Sequence, residues 1–267
     1  MIEKPRPWCG HGLHRRCGGF TLMELLVVIV IITVMLLILV PSLTAARRNA
    51  RLTVCASNLG QIGRAIHTYA VDMEGMLPYG PKAAPTSIAD FYVVDGMVTT
   101  QLSLLGSGAP VGIGLLLDGY LDHRHEIVFC TDSDQPVDTT RELDRFGRTQ
   151  SLSGYFYRHG SNTLASLSTP RSTWDDHTRL ADLGTNQDGA SIQALLMDQN
   201  FVVDPPVPIF NIITRTNHAR RLVNTLYVDG RVATLPNEDG HYTATIGSGL
   251  HTGPDRILRA FERADTP

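Results

Sequence analysis

The chain runs apolar from Leu25 to Val40, and the stretch from Phe20 to Leu43 is 24 residues long. As a helix it reaches about 36 Å at about 1.5 Å per residue, enough to cross a hydrocarbon core of about 30 Å. A transmembrane helix is therefore predicted over 20–43. Past Pro41 the pattern changes. Leu52, Cys55, Leu59, Ile62, Ile66, Tyr69 and Met73 recur three and four residues apart, which draws one apolar stripe along an amphipathic continuation of the helix over 44–75. Arg51, Asn58, Gln61, Arg64 and His67 fall on its other faces, suited to water or to a neighbouring subunit. Gly75 predicts the end of this helix, and Leu77-Pro78 the start of a loop.

An apolar stripe needs a partner, and the remainder of the chain offers a sheet. Short strand-like runs appear at Asp90 to Val98, around an Asp95-Gly96 turn, and at Glu126 to Cys130, Ser153 to Tyr157 and Ala194 to Met197. Others follow at Phe201 to Val203, Val223 to Val228 and Arg231 to Leu235. Asp229-Gly230, between the last two, is a hairpin signal. Gly112 to Leu121 reads as a short helix or turn and Asp255 to Arg263 as a terminal helix. The expected fold class is α+β, a long N-terminal helix packed on an antiparallel sheet in a soluble head over 76–267.

Composition agrees with one membrane segment and one domain of moderate size: 267 residues, 43% hydrophobic, 18% charged, net charge −3. The first 19 residues carry Lys4, Arg6, Arg15 and Arg16 against Glu3 and read as a short basic leader. Beyond Glu74 the chain nets −7, with 15 basic and 22 acidic residues, which excludes non-specific nucleic-acid binding. Charge leaves the topology open, because Arg47, Arg48 and Arg51 rival the leader.

Glu24 changes the picture most. A carboxylate in the first turns of a membrane span is costly unless compensated, and no Lys or Arg lies within the apolar run. The nearest available cation is an α-amino group created by cutting the chain between Gly19 and Phe20. Gly19-Phe20-Thr21-Leu22-Met23-Glu24-Leu25 resembles the processing site of the type IV prepilin and type II secretion pseudopilin superfamily. The resemblance implies a pilin-like fold, cleavage after Gly19 by a prepilin peptidase/methyltransferase and N-methylation of Phe20. It also implies assembly with other pilin or pseudopilin subunits through Glu24, and a helix-bending role for Pro41. The leader would then be cytoplasmic and the head extracytoplasmic, on a single pass through the inner membrane. Two further readings of the stretch are an ordinary signal-anchor and a secretory signal peptide cut near Thr44-Ala45-Ala46. An alternative function is a membrane-anchored extracytoplasmic binding protein that does not polymerise.

A second resemblance covers the head. Cys55-Ala-Ser-Asn-Leu-Gly-Gln-Ile-Gly, Phe129-Cys130-Thr-Asp-Ser-Asp and His218 leading to Asp229-Gly230 look like a large family of pseudopilin-like proteins abundant in planctomycetes. There nine residues separate the His from Asp-Gly; here ten do. On the residues alone, His218, Asp229 and Gly230 read as a hydrogen-bonding His and a hairpin turn.

Leader removal would take away Cys9 and Cys17 and leave Cys55 and Cys130, an even pair for a disulfide in an oxidising compartment, or two buried thiols. No cofactor is expected. The weak calcium sets are Asp132, Asp134 and Asp138, and Asp182, Asn186 and Asp188, oxygen ligands at alternating positions. His123-Arg-His125 lacks a third metal ligand. No Gly-x-Ser-x-Gly, His-Glu-x-x-His or phosphate-loop motif is present, so an enzyme is not expected.

Overall fold

The computed structural model describes residues 20–78, 98–104, 106–122, 124–135, 137–158, 179–204, 213–246 and 253–266. The leader with Gly19, the run from Asp90 to Met97 and His123 lie outside the described residues. The chain divides into two compact units at Ala46/Arg47.

Helix α1 (Leu22–Asp72) runs through Pro41 without interruption. Within the first unit every described side chain is exposed, and the apolar stretch is long and apolar enough to cross a membrane. An apolar helix with no protein against it calls for lipid or for like helices, since water would meet it on all sides. Within the second unit the stripe is buried as expected at Cys55, Leu59, Ile62 and Ile66, and it fades at Met73, which is 38% exposed. Asn58 departs from expectation: it is buried, and its amide donates to Phe129 O at 3.5 Å. Helical spacing places Asn58 beside Leu59 and Ile62, and a carbonyl waiting there makes a polar residue acceptable in that position.

Five strands form the main sheet: β1 (Val98–Ser103), β2 (Ser151–Arg158), β3 (Ala194–Asp198), β5 (Leu222–Tyr227) and β6 (Val232–Pro236). Their order is β1-β2-β3-β5-β6, and every neighbouring pair is antiparallel. β4 (Phe201–Val203) and β7 (Ala244–Ile246) form a separate parallel pair. The β5–β6 turn is at Asp229-Gly230, with Gly230 at φ +83°.

Strand alternation divides the core between the two faces of the sheet. Tyr155, Tyr157, Leu196 and Leu226 pack with the stripe of α1. Phe156, Met197, Val223 and Tyr227 pack with Ile257, Leu258 and Phe261 of α3 (Gly253–Asp265). The head is thus helix on sheet on helix. α1 comes close enough at Gly63 that an added Cβ would lie 2.8 Å from Leu226 Cδ1. On the other face Asp265 accepts both contacts from Arg158 Nη1, at 2.9 and 3.1 Å, and the backbone N–H groups of Gln193 and Ala194 at 2.8 and 2.9 Å.

Glu126 to Cys130 is not a strand. His125–Val128 forms a 3-10 turn and Phe129 is extended after it. The run plugs the α1 side of the core and lies against Gly154 of β2, where a Cβ would meet Cys130 N at 2.7 Å. A short buried apolar run has the same composition whether it pairs in a ladder or fills a core. α2 (Thr139–Arg145), capped by Asp138, and β7 were not expected from the pattern.

Candidate functional site

At the N-terminal end, Phe20 is 74% exposed and the helix begins two residues later. Thr21 Oγ1 accepts the Glu24 N–H at 3.2 Å, while the Glu24 carboxylate accepts the Thr21 N–H at 2.9 Å and its hydroxyl at 2.8 Å. This is a reciprocal capping box, which satisfies two of the amide donors a helix N-terminus leaves without partners. The Thr-x-x-Glu spacing carried that signal in the sequence. Within its own chain Glu24 already has a use, and one carboxylate has acceptor capacity left for a cation.

In the head, the structure gathers residues that lie far apart in sequence around His218. Cys55 comes from α1, Cys130 and Asp132 from the segment after the 3-10 turn, Asp198 from the end of β3, and His218 from the approach to β5. Cys55 and Cys130 are joined as a disulfide, with Cα atoms 5.2 Å apart and a sequence separation of 75. Closing a loop of that length stabilises by roughly 4 kcal/mol through lost unfolded-state entropy. His218 Nδ1 meets Asp132 Oδ2 at 3.0 Å and Nε2 meets Asp198 Oδ2 at 3.0 Å. Nε2 also lies 3.4 Å from Cys130 Sγ. His218 is 3% exposed and Asp198 0%, so nothing larger than a water or an ion reaches them without backbone movement.

The electrostatics follow from that geometry. Burial pulls the His218 pKa down, but the hydrogen bond and charge of Asp198, then those of Asp132, outweigh it and leave the value raised. With the disulfide closed, an imidazolium bridges two carboxylates, and Arg51 balances Asp132 from the outside at 3.4 Å. Tyr155 is held neutral: burial first and the charge of Asp198 second push its pKa well above the ordinary value.

The backbone here is strained. His218, Ala219 and Arg220 have φ of +53°, +51° and +59° in succession, a left-handed turn without a glycine. Such residues cost about 1–2 kcal/mol each and persist where surrounding contacts over-determine them. Those contacts are His218 N–H to Asp132 O at 3.0 Å, Ala219 N–H to Asp134 Oδ1 at 2.8 Å and Asn237 Nδ2 to Arg220 O at 3.0 Å.

His218 and Asp229 are not brought together. They bracket β5, whose six residues span about 20 Å. Asp229 is exposed and meets Arg231 at 3.8 Å, while Gly230 supplies the turn. The acidic sets also serve protein donors. Asp134 takes Ala219 N–H and the Thr216 hydroxyl, and Asp138 caps α2 through Arg141 N–H at 3.0 Å. Asp182 accepts Gly184 N–H at 3.2 Å. Asn186 is turned inward to Asp265 and Asp188 outward to Arg259, at 3.1 and 3.4 Å. His125 Nε2 lies 3.1 Å from Leu117 O. The residue that sequence reasoning missed is Asp198, whose signal was a carboxylate closing the fully apolar run Ala194 to Met197. A buried acid of that kind requires a partner, but the sequence did not say which.

The prokaryotic N-terminal methylation motif family matches residues 14–40. No curated protein and no solved structure matches the chain. The apolar helix that carries this motif and the antiparallel head after it make an α+β fold consistent with a type IV pilin-like precursor.

Proposed function

We propose that the chain is a structural subunit of a type II secretion or type IV pilus-like filament, cut after Gly19, N-methylated at Phe20 and not an enzyme. The observation that carries this reading is Glu24 as the one charged residue of α1 between Leu22 and Ala46, a stretch in which every described side chain is exposed. In a filament core such helices cover one another, and the α-amino group of one subunit neutralises Glu24 of the next. A prepilin peptidase/methyltransferase and the other subunits are the partners implied, and the head stands on the extracytoplasmic side of the inner membrane.

The capping box separates two roles of Glu24. Gln serves a capping box as well as Glu but carries no charge. Glu24→Gln is expected to leave helix content and membrane insertion unchanged and to abolish incorporation into sheared filaments. Wild-type filament yield from Glu24→Gln would contradict the assembly role and leave only the cap.

A further inference from the structure

The described residues contain one group of side chains whose donor atoms converge from separate elements: Cys55 Sγ, Cys130 Sγ and His218 Nε2, all within 4.8 Å of one another and all buried. Asp198 lies beside His218, with Oδ2 3.0 Å from its Nε2. Its other oxygen, Oδ1, is fully buried and has no hydrogen-bond partner among the described residues. A buried carboxylate oxygen without a donor is costly and points to an absent ligand.

We infer that, with the Cys55–Cys130 bond reduced, this cluster binds a zinc-class divalent cation through Cys55, Cys130 and His218, with the neighbouring Asp198 closing on it as the fourth ligand. Two thiolates, one imidazole and one carboxylate suit a borderline-soft, tetrahedral ion. Zinc bonds of about 2.3 Å to sulfur and 2.0 Å to nitrogen put sulfur and nitrogen about 3.5 Å apart across a tetrahedron. His218 Nε2 and Cys130 Sγ are 3.4 Å apart already. The supporting shell is also in place. Asp132 holds Nδ1–H of His218, which directs Nε2 at the ion. Thr131 N–H donates to Cys55 Sγ at 3.2 Å, and Asn224 N–H to Asp198 Oδ2 at 2.7 Å.

The step balances with a dithiol reductant. Two electrons and two protons pass to the Cys55–Cys130 bond, which breaks to two thiols, and the reductant closes its own disulfide. Metal entry then releases both thiol protons and the Nε2 proton of His218 to solvent, while Nδ1 keeps its proton on Asp132. The site thus has two exclusive states, disulfide without metal or dithiolate with metal, and it goes beyond the filament reading because it concerns the head alone.

Cobalt(II) is the probe. The full chain carrying Cys9→Ser and Cys17→Ser, in detergent micelles, is reduced with a phosphine under anaerobic conditions and titrated. One equivalent per chain is expected, with a thiolate-to-cobalt charge-transfer band that zinc bleaches and calcium does not. The unreduced chain is expected to show no such band. Cys130→Ser should remove the band, Asp198→Asn should shift the ligand-field bands, and Asp132→Asn should weaken binding about 10–100-fold. A reduced chain that takes up no more cobalt than the oxidised one overturns the proposal without recourse to any variant. So does a charge-transfer band that survives Cys130→Ser.

Discussion

Ala219 occupies a left-handed conformation at φ +51°, ψ +26° with its N–H held by Asp134, so its methyl group works against the turn. Ala219→Gly removes that penalty at the expense of a more flexible unfolded chain, and a net gain of about 0.5–1 kcal/mol is expected in chemical denaturation. Asp265 is the opposite case. It is 0% exposed in its side chain and holds Arg158, 1% exposed, together with two strand amides. Asp265→Ala leaves a buried guanidinium without its carboxylate, and a loss of about 3–5 kcal/mol is expected by the same measurement. Residues of this kind mark what the sequence hid. His218 stood out as a motif residue, and Cys55 and Cys130 as an even pair. Their neighbour Asp198 did not, and Asp132 stood out only as a calcium candidate, because a carboxylate's partner is set by long-range topology that no local pattern encodes. Asp138 shows the converse. An acid read for oxygen ligation is an N-cap, and the Thr139–Arg145 helix it starts is too short to print a period.

At the scale of elements, the pattern succeeded where a polar face, a turn residue or a strand-length run fixed the element, as in β2 and β3, and failed at the short run before Cys130. The stripe on α1, the Asp229-Gly230 hairpin and the terminal helix all carried a polar face or a turn residue to fix them. Ile127 to Cys130 carried neither, and its apolar residues fill the core as a plug. The helix-to-sheet contact makes its own test through two glycines of α1. A Cβ at Gly60 has nothing nearer than Val232 Cγ2 at 3.9 Å, whereas one at Gly63 meets the buried Leu226 side chain at 2.8 Å. Gly60→Ala should stabilise the head by about 0.5–1 kcal/mol. Gly63→Leu should destabilise it by about 1–3 kcal/mol as the helix is pushed off the sheet. Equal thermal shifts for the two would mean that α1 does not seat on β5 as described.

For the whole molecule, the fold class was legible because a long apolar helix and a series of short alternating strands are separate signals read at separate periods. The processing signal was legible because it is contiguous: Gly19, Phe20 and Glu24 lie within six residues. The buried cluster was legible only in pieces, since Cys55 and His218 are joined by folding and not by spacing. Cleavage and methylation, which the proposed filament subunit requires, are written in the N-terminus of the mature protein. Mass spectrometry of the chain recovered from membranes is expected to give an N-terminal peptide beginning at N-methylated Phe20, in a protein about two kilodaltons lighter than its precursor, as loss of a 19-residue leader requires. A mature chain beginning near Arg47, past the apolar run, would mean an ordinary secretory cut and would rule out the filament subunit.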